Sequence, residues 1–452
     1  MDSLIFFVIT ISILVFVHEF GHFAAAKICK MRTDVFAIGF GKRLFGWNKI
    51  NGFTLGNLSE DIDLQGHTDY RLSILPLGGY VKISGMVDES FDTDFAGKEP
   101  QPYEFRSKPV YQKLFVITAG VLMNFLLTVF IFWGINIYSG KPILSTTKIG
   151  YIAPESFAEK AGFSEGDEII SVNNKKVNDW ESVFSEVLMA SAGKSAEIKV
   201  LRNEKPVTLK IGKPVLSKIE PSAEFLNMGD VIPVAGKVIE NSPAEDAGIK
   251  NGDQVIELKG MPIKWTNQIY KIMEENKDDS VLVKILRDGK EIEIASKLDM
   301  EGKMGVFFVP KYIGKRDTVS YNLMEGLSAT FDNIGNTIGL TFAMFRKVIF
   351  GEVAFGKVFG GPLKIAEMAG DTAEMGISVF LSFLASLSLS LAIINILPFP
   401  VLDGGHVIMI IIEGIIRKEV PIKVKIWINN IGFALLMLLM AFIIYSDALS
   451  MF

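Results

Sequence analysis

The sequence predicts a polytopic α-helical membrane protein: four transmembrane helices, with two copies of a small α+β domain between the second and the third. Three observations carry this. Four apolar stretches are each long enough to cross about 30 Å of hydrocarbon, which takes about 20 helical residues. The 452 residues are 49% hydrophobic and only 21% charged, with a mean hydropathy of +0.34. That balance excludes a disordered chain and a wholly soluble enzyme. Residues 141–310 depart from this composition and repeat themselves. The net charge of −5 leaves no basic surplus for nucleic acid. A single cysteine, Cys29, excludes an internal disulfide framework or a multi-cysteine zinc site.

The first span, within residues 1–26, is apolar except for His18, Glu19 and His22. Only Asp2 precedes it and no small-residue cleavage site follows, which argues against a signal peptide. The second, 114–140, holds no charge between Lys113 and Lys141. The third, within 375–416, has none between Glu374 and Asp403, and the fourth, 426–446, lies between Lys425 and Asp447. Lys27, Lys30, Arg32, Lys42 and Arg43 follow the first span, Arg106, Lys108 and Lys113 precede the second, and Arg417, Lys418, Lys423 and Lys425 join the third to the fourth. By the positive-inside rule both clusters are cytoplasmic, so both termini and the 141–374 region face outward.

Within the cytoplasmic-side region 27–113, residues 72–86 (LSILPLGGYVKISGM) are apolar but broken by Pro76, Gly78 and Gly79. They are too short to span as a helix and suit a hairpin. Two readings stand: a re-entrant hairpin against protein at membrane depth, or a soluble one. Residues 49–70 read as an inserted segment, with His67 at its surface.

Beyond the second span, Glu155-Ser156-Phe157-Ala158-Glu159-Lys160-Ala161-Gly162 and Gly166-Asp167 return 86 positions later as Asn241-Ser242-Pro243-Ala244-Glu245-Asp246-Ala247-Gly248 and Gly252-Asp253. Trp180 and Trp265 hold matching places downstream. An 86-residue period is too long for a solenoid unit, so each copy, 141–222 and 223–310, is a domain. The pattern SPAxxAGxxxGDxI resembles PDZ domains of bacterial proteases, which implies peptide binding by strand addition; a spacer or steric screen is the other reading. Residues 311–374 form an amphipathic helical linker, with Leu323, Leu327, Phe331, Ile334, Ile338, Phe342 and Phe345 on one stripe. The stripe suits either the membrane interface or packing beneath the repeats.

The chemistry lies in His18-Glu19-Phe20-Gly21-His22. Positions i and i+4 share a helix face, so both imidazoles can ligate one zinc, and Glu19 can take a proton from the attacking water. Uncompensated polar groups inside hydrocarbon cost at least about 2.5–3.5 kcal/mol for a carboxylate, so this trio needs a reason to be there. Zinc peptidase sites take a third protein ligand and leave the fourth position open. Asp403 is the candidate, in Asn395-Ile396-Leu397-Pro398-Phe399-Pro400-Val401-Leu402-Asp403-Gly404-Gly405-His406, where the two prolines must open the helix just before the carboxylate. His18 lies about 21 Å down the first helix at 1.5 Å per residue, and both that span and the third run inward, so the three ligands fall toward the cytoplasmic side. Asn395, whose amide donates and accepts, suits the scissile region or the developing oxyanion. His406 suits support of the ligands or plain packing.

These motifs, with Ile38-Gly39-Phe40-Gly41 and Pro76-Leu77-Gly78-Gly79-Tyr80-Val81, resemble the site-2 protease family of intramembrane zinc metalloproteases, peptidase family M50, over nearly the whole chain. The resemblance implies Zn(2+) held by His18, His22 and Asp403, Glu19 as catalytic base, and substrate contacts from Asn395 and the hairpin residues Gly78, Gly79 and Tyr80. It implies an envelope-stress or signal-peptide role in a bacterial inner membrane: a monomer that cuts single-span proteins such as an anti-sigma factor or signal-peptide remnants, with the PDZ pair filtering or binding substrate. The family's AGPxxNF reads here Ala119-Gly120-Val121-Leu122-Met123-Asn124-Phe125, with Val121 in place of proline. A proton-relaying transporter would carry intramembrane carboxylates too, but not HExxH spacing. A PDZ scaffold with a vestigial metal site is the second alternative.

Overall fold

The computed structural model describes residues 2–59, 62–86, 99–191, 193, 195–216, 225–277, 279–353 and 360–450. They form two compact units: one holds the chain up to Gly140, Ser320–Ile338 and the C-terminal helices, and the other holds Lys141–Val319 with the stretch beginning at Gly339.

In the first unit, α1 (Asp2–Ile28) leads into three strands, β1 (Thr33–Asn48), β2 (Gly52–Leu55) and β3 (Asp69–Ile83), in the order β2-β1-β3. β1 bends at Gly39 and Gly41, whose φ values of +88° and +87° only glycine adopts readily. β1 and β3 therefore pair twice: Ile38 faces both Gly79 and Leu72, while Leu72 faces both Ile38 and Phe45. The segment around 72–86 is thus not a hairpin paired on itself: both of its arms belong to β3 and pair with β1 within a larger sheet. Residues 49–70 contribute β2, and buried Arg43 ties it down with bonds to both Asp69 carboxylate oxygens and to the Thr54 and Gly56 carbonyls. His67 is half-buried there. α2 (Val110–Tyr138) is unbroken through Val121, where the family pattern places proline.

The second unit opens with β4 (Lys141–Leu144). The first repeat follows as α3 (Phe157–Lys160), β5 (Glu168–Val172), β6 (Lys175–Lys176), α4 (Trp180–Ser191), β7 (Ser195–Arg202), β8 (Lys205–Gly212) and α5 (Lys213–Leu216). The second is β9 (Val231–Val238), α6 (Pro243–Asp246), β10 (Gln254–Leu258), β11 (Met261–Pro262), α7 (Thr266–Glu274), β12 (Ser280–Arg287), β13 (Lys290–Lys297) and β14 (Val306–Tyr312). The sheets run β6-β5-β7-β8 and β13-β12-β10-β9-β14.

The repeated motif has the same structural meaning in both copies. Ser156 and Ser242 cap α3 and α6 by accepting from Glu159 and Glu245 amides, satisfying a donor the helix start leaves free. Ala158 and Ala244 are buried, and Gly162 and Gly248 close the helices at φ +89° and +84°. Arg202 grips Asp167 through Nε and Nη2 and also bonds the Gly162 carbonyl; Arg287 does the same to Asp253 and Gly248.

The chain after the repeats is strand before it is helix. β14 continues to Tyr312, and β15 (Arg316–Val319) pairs with β4, so the predicted helical linker from 311 begins only with α8 (Leu323–Ile349). The packed face of α8 is offset from the apolar stripe. Gly326, Thr330 and Ile334 are buried, Asn136 of α2 bonds Thr330 Oγ1, and Leu323, Phe331 and Phe342 stay exposed. Small and polar residues let helices approach closely and bond across, a job the apolar stripe cannot signal. α9 (Pro362–Glu374), α10 (Ile377–Asn395), α11 (Asp403–Ile416) and α12 (Ile422–Ser450) complete the unit. Ser3–Ile28, Val110–Tyr138, Ile377–Asn395 and Ile422–Tyr445 are apolar and long enough to cross a membrane. The third predicted span divides, its helix ending at Asn395 and restarting at Asp403 around Pro398 and Pro400.

Candidate metal centre

The site forms where α1, α2 and the start of α11 meet. One helical turn separates His18 from His22, which brings their Nε2 atoms 3.2 Å apart. Asp403 Oδ2 stands 3.2 Å from His18 Nε2 and 3.5 Å from His22 Nε2. Two ligands about 2.1 Å from a tetrahedral zinc are about 3.4 Å apart, so the triangle has the size zinc needs. Asp403 Oδ2 is buried and accepts no well-directed hydrogen bond, as suits an atom aimed at a cation. The residues present fit the metal.

Helix-start geometry puts Asp403 there. Gly404 and Gly405 lie so close to the preceding turn that a Cβ on either would fall 2.2 Å from Leu397 O or 2.3 Å from Phe399 O. Val401 sits at φ +79°, costly for a β-branched residue by about 1–3 kcal/mol, which is strain stored two residues before the carboxylate.

α2 closes the other side. His22 Nδ1 donates to the Val116 carbonyl at 2.9 Å, leaving Nε2 free for a metal. Asn124 Nδ2 lies 3.3 Å from His18 Nδ1. A Cβ on Gly120 would come within 2.4 Å of His22 Nε2 and 2.8 Å of His18 Cε1. Sequence reasoning named Asn124 only through the missing proline and did not single out Val116 or Gly120; a glycine inside a span, signalling close helix approach, was the available clue.

Glu19, nearly buried, lines a cavity of about 40 Å³ with His18, His22, Asp403, Val81, Ile83, Met86, Ile117 and His406. That is room for at least one water. Asn395 Nδ2 is 3.5 Å from His18 Nε2, at the rim. The hairpin residues divide between the two faces of β3. Gly79 packs against α1, where a Cβ would meet Val15 and Glu19, while the Tyr80 ring stacks on Phe40 and its hydroxyl accepts from Arg71. Gly78, at φ +124°, faces the Phe40 ring. Alternation along a strand explains the split: Gly79, Val81 and Ile83 face one way, Gly78 and Tyr80 the other. His406 lies on the cavity wall.

Apolar spanning helices around two histidines, a glutamate and an aspartate define a membrane-embedded metallopeptidase. The model of peptidase family M50 matches residues 6–439, and the chain belongs to that family as a zinc metalloendopeptidase. It is 32% identical over 98% of its length to the regulator of sigma-E protease RseP of Escherichia coli K12, covering 97% of that protein. It is 31% identical to the regulator of sigma E protease of Haemophilus influenzae, over 98% of both chains. A Vibrio cholerae relative, 32% identical over 98% of both chains, is provisionally named a zinc metalloprotease.

Proposed function

We propose that this chain hydrolyses a peptide bond within the transmembrane segment of single-span membrane proteins, using zinc held by His18, His22 and Asp403. The observation that carries the reading is the 3.2–3.5 Å triangle of candidate ligand atoms, two of them on the apolar first span and the third at the start of α11. Bound zinc would lower the pKa of a water in the cavity to about 7. Glu19, on the wall of the same cavity, takes the proton of the attacking water and delivers it to the leaving amide nitrogen. Asn395 holds the scissile carbonyl or the oxyanion that develops from it. A substrate helix must first unwind, because its peptide groups are bonded to one another. β3 is an edge of its sheet among the described residues, and at Gly79–Ile83, beside Glu19, it offers backbone groups to the freed chain, so Gly78, Gly79 and Tyr80 contribute as main chain. Val81 and Ile83 provide apolar walls.

The Lys/Arg distribution supports an inner-membrane protein with its zinc site toward the cytoplasm and its termini and repeats outside. The sigma E regulators among its relatives point to an anti-sigma factor as substrate; signal-peptide remnants share the same single-span chemistry. For the repeats, one observation favours screening over strand addition in the second copy. β14 is the edge of its sheet among the described residues, and Tyr270 Oη already occupies the outward N–H and carbonyl of Phe308, at 3.0 and 3.3 Å.

The test is cleavage of a tagged single-span substrate by purified protein in detergent, wild type beside Glu19→Gln, with and without a zinc chelator. Cleavage by wild type alone, lost on chelation and restored by zinc, supports the reading. Equal cleavage by both proteins would falsify Glu19 as the base.

A further inference from the structure

Both site histidines turn Nε2 toward the metal point. A neutral ring that ligates through Nε2 carries its proton on Nδ1, and that proton needs an acceptor. His22 has one in the Val116 carbonyl. Among the described residues, His18 Nδ1 faces the side-chain amide of Asn124, with Nδ2 at 3.3 Å. Asn124 is fully buried, and its Oδ1 has no hydrogen-bond partner among the described residues. The oxygen and nitrogen of a side-chain amide exchange places by half a turn with no change of shape. Nδ2 toward Nδ1 suits a ring protonated on Nε2, which cannot ligate there. Half a turn of the amide sets the orphaned Oδ1 against Nδ1–H. The residue is held in register for this, since its backbone carbonyl accepts from Thr128 Oγ1 and from Ser388 Oγ of α10.

We propose that Asn124 is a positioning residue for the metal centre: its side-chain oxygen accepts the His18 Nδ1 proton and fixes the tautomer that leaves Nε2 free for zinc. α2 then serves both rings, through Val116 and Asn124, with Gly120 giving the imidazoles room between them. The proposal rests on His18 being a ligand.

The test uses the full-length protein in detergent. Zinc affinity is measured by chelator competition for wild type, Asn124→Asp, Asn124→Leu, Asn124→Ala and, as a check on the ligand reading, His18→Ala. The variants without an acceptor should bind zinc about 10–100-fold more weakly, and Asn124→Asp should stay near wild type. The tautomer is read in parallel from the ¹⁵N spectrum of histidine-labelled, zinc-loaded protein, which has only four histidines. His18 should carry its proton on Nδ1 in wild type and Asn124→Asp, and lose the hydrogen-bond shift of that proton in whichever apolar variant folds. Unchanged affinity in the apolar variants, or equal loss in Asn124→Asp, overturns the proposal; so does a wild-type His18 protonated on Nε2. If His18→Ala binds zinc as tightly as wild type, the ligand assignment itself has failed, which is a different result.

Discussion

Gly120 of α2 lies against His22 of α1 so closely that a single added carbon would sit 2.4 Å from the imidazole Nε2. The imidazole fits against α2 here because Gly120 carries no side chain. Gly21 answers Gly120 from the other helix, its own Cβ position being 2.4 Å from Ala119 O.

Gly120→Ala should therefore displace a histidine from the metal triangle. We expect zinc content to fall well below one per chain and cleavage to drop at least about 100-fold, since misplacement of about 1 Å is enough for that. Gly134→Ala on the same helix, where an added Cβ meets nothing within 4 Å, should leave both unchanged. Metal analysis beside the cleavage assay decides it.

Asp403→Ala removes the carboxylate that α11 brings to the two histidines of α1, the proposed third ligand. Zinc retention should be lost, while the four spanning helices persist by circular dichroism. Retained zinc with full activity would sink Asp403 as the third ligand.

The second repeat should weaken in acid through Asp253. Burial pushes its carboxyl up, but the Arg287 guanidinium and the Lys250 amide outweigh burial and hold it below its ordinary 3.8. A depressed carboxylate stabilises the fold fully above the unfolded value, and that stability is lost as pH falls through the folded one. Hydrogen exchange in β10 and β12 of the full chain should accelerate below pH 3.8, and less so in Asp253→Asn. Arg287→Ala strands a buried carboxylate and should cost about 3 kcal/mol at neutral pH.

Tyr270→Phe leaves the Phe308 N–H and carbonyl exposed on the β14 edge. The Phe308 amide should exchange about fivefold faster, in line with losing one bond worth about 1 kcal/mol. An extended peptide that binds the variant and not the wild type would show that the hydroxyl closes this edge. Pro310, two residues on, has no N–H to offer on that side, which limits any added strand.

Much of the molecule was legible without coordinates, for identifiable reasons. The spans follow from hydropathy because a bilayer demands long, uncharged helices. His18 and His22 declare themselves by a four-residue spacing that any helix converts into one face. Pro398 and Pro400 announce the break before Asp403, since neither can continue a helix. The repeated Ser, Gly and Asp of the two domains mark a cap, a helix end and an arginine grip, all local geometry.

Less legible was whatever depends on which elements meet. The apolar stripe of α8 does not name its packed face, because Gly326 and Thr330 are buried by close helix approach and not by hydrophobicity. β1 and β3 pair twice, which two glycines with positive φ permit but do not announce. The roles of Gly120, Val116 and Asn124 arise only when α2 lies against α1. The sequence by itself thus determined the class of protein, the candidate metal-binding residues and the approximate course of the spans, because these depend on local spacing and on the solvent. Only the tertiary structure decided the triangle's size, the partners of each imidazole and the face that each hairpin residue presents, because these are distances between segments about forty to four hundred positions apart.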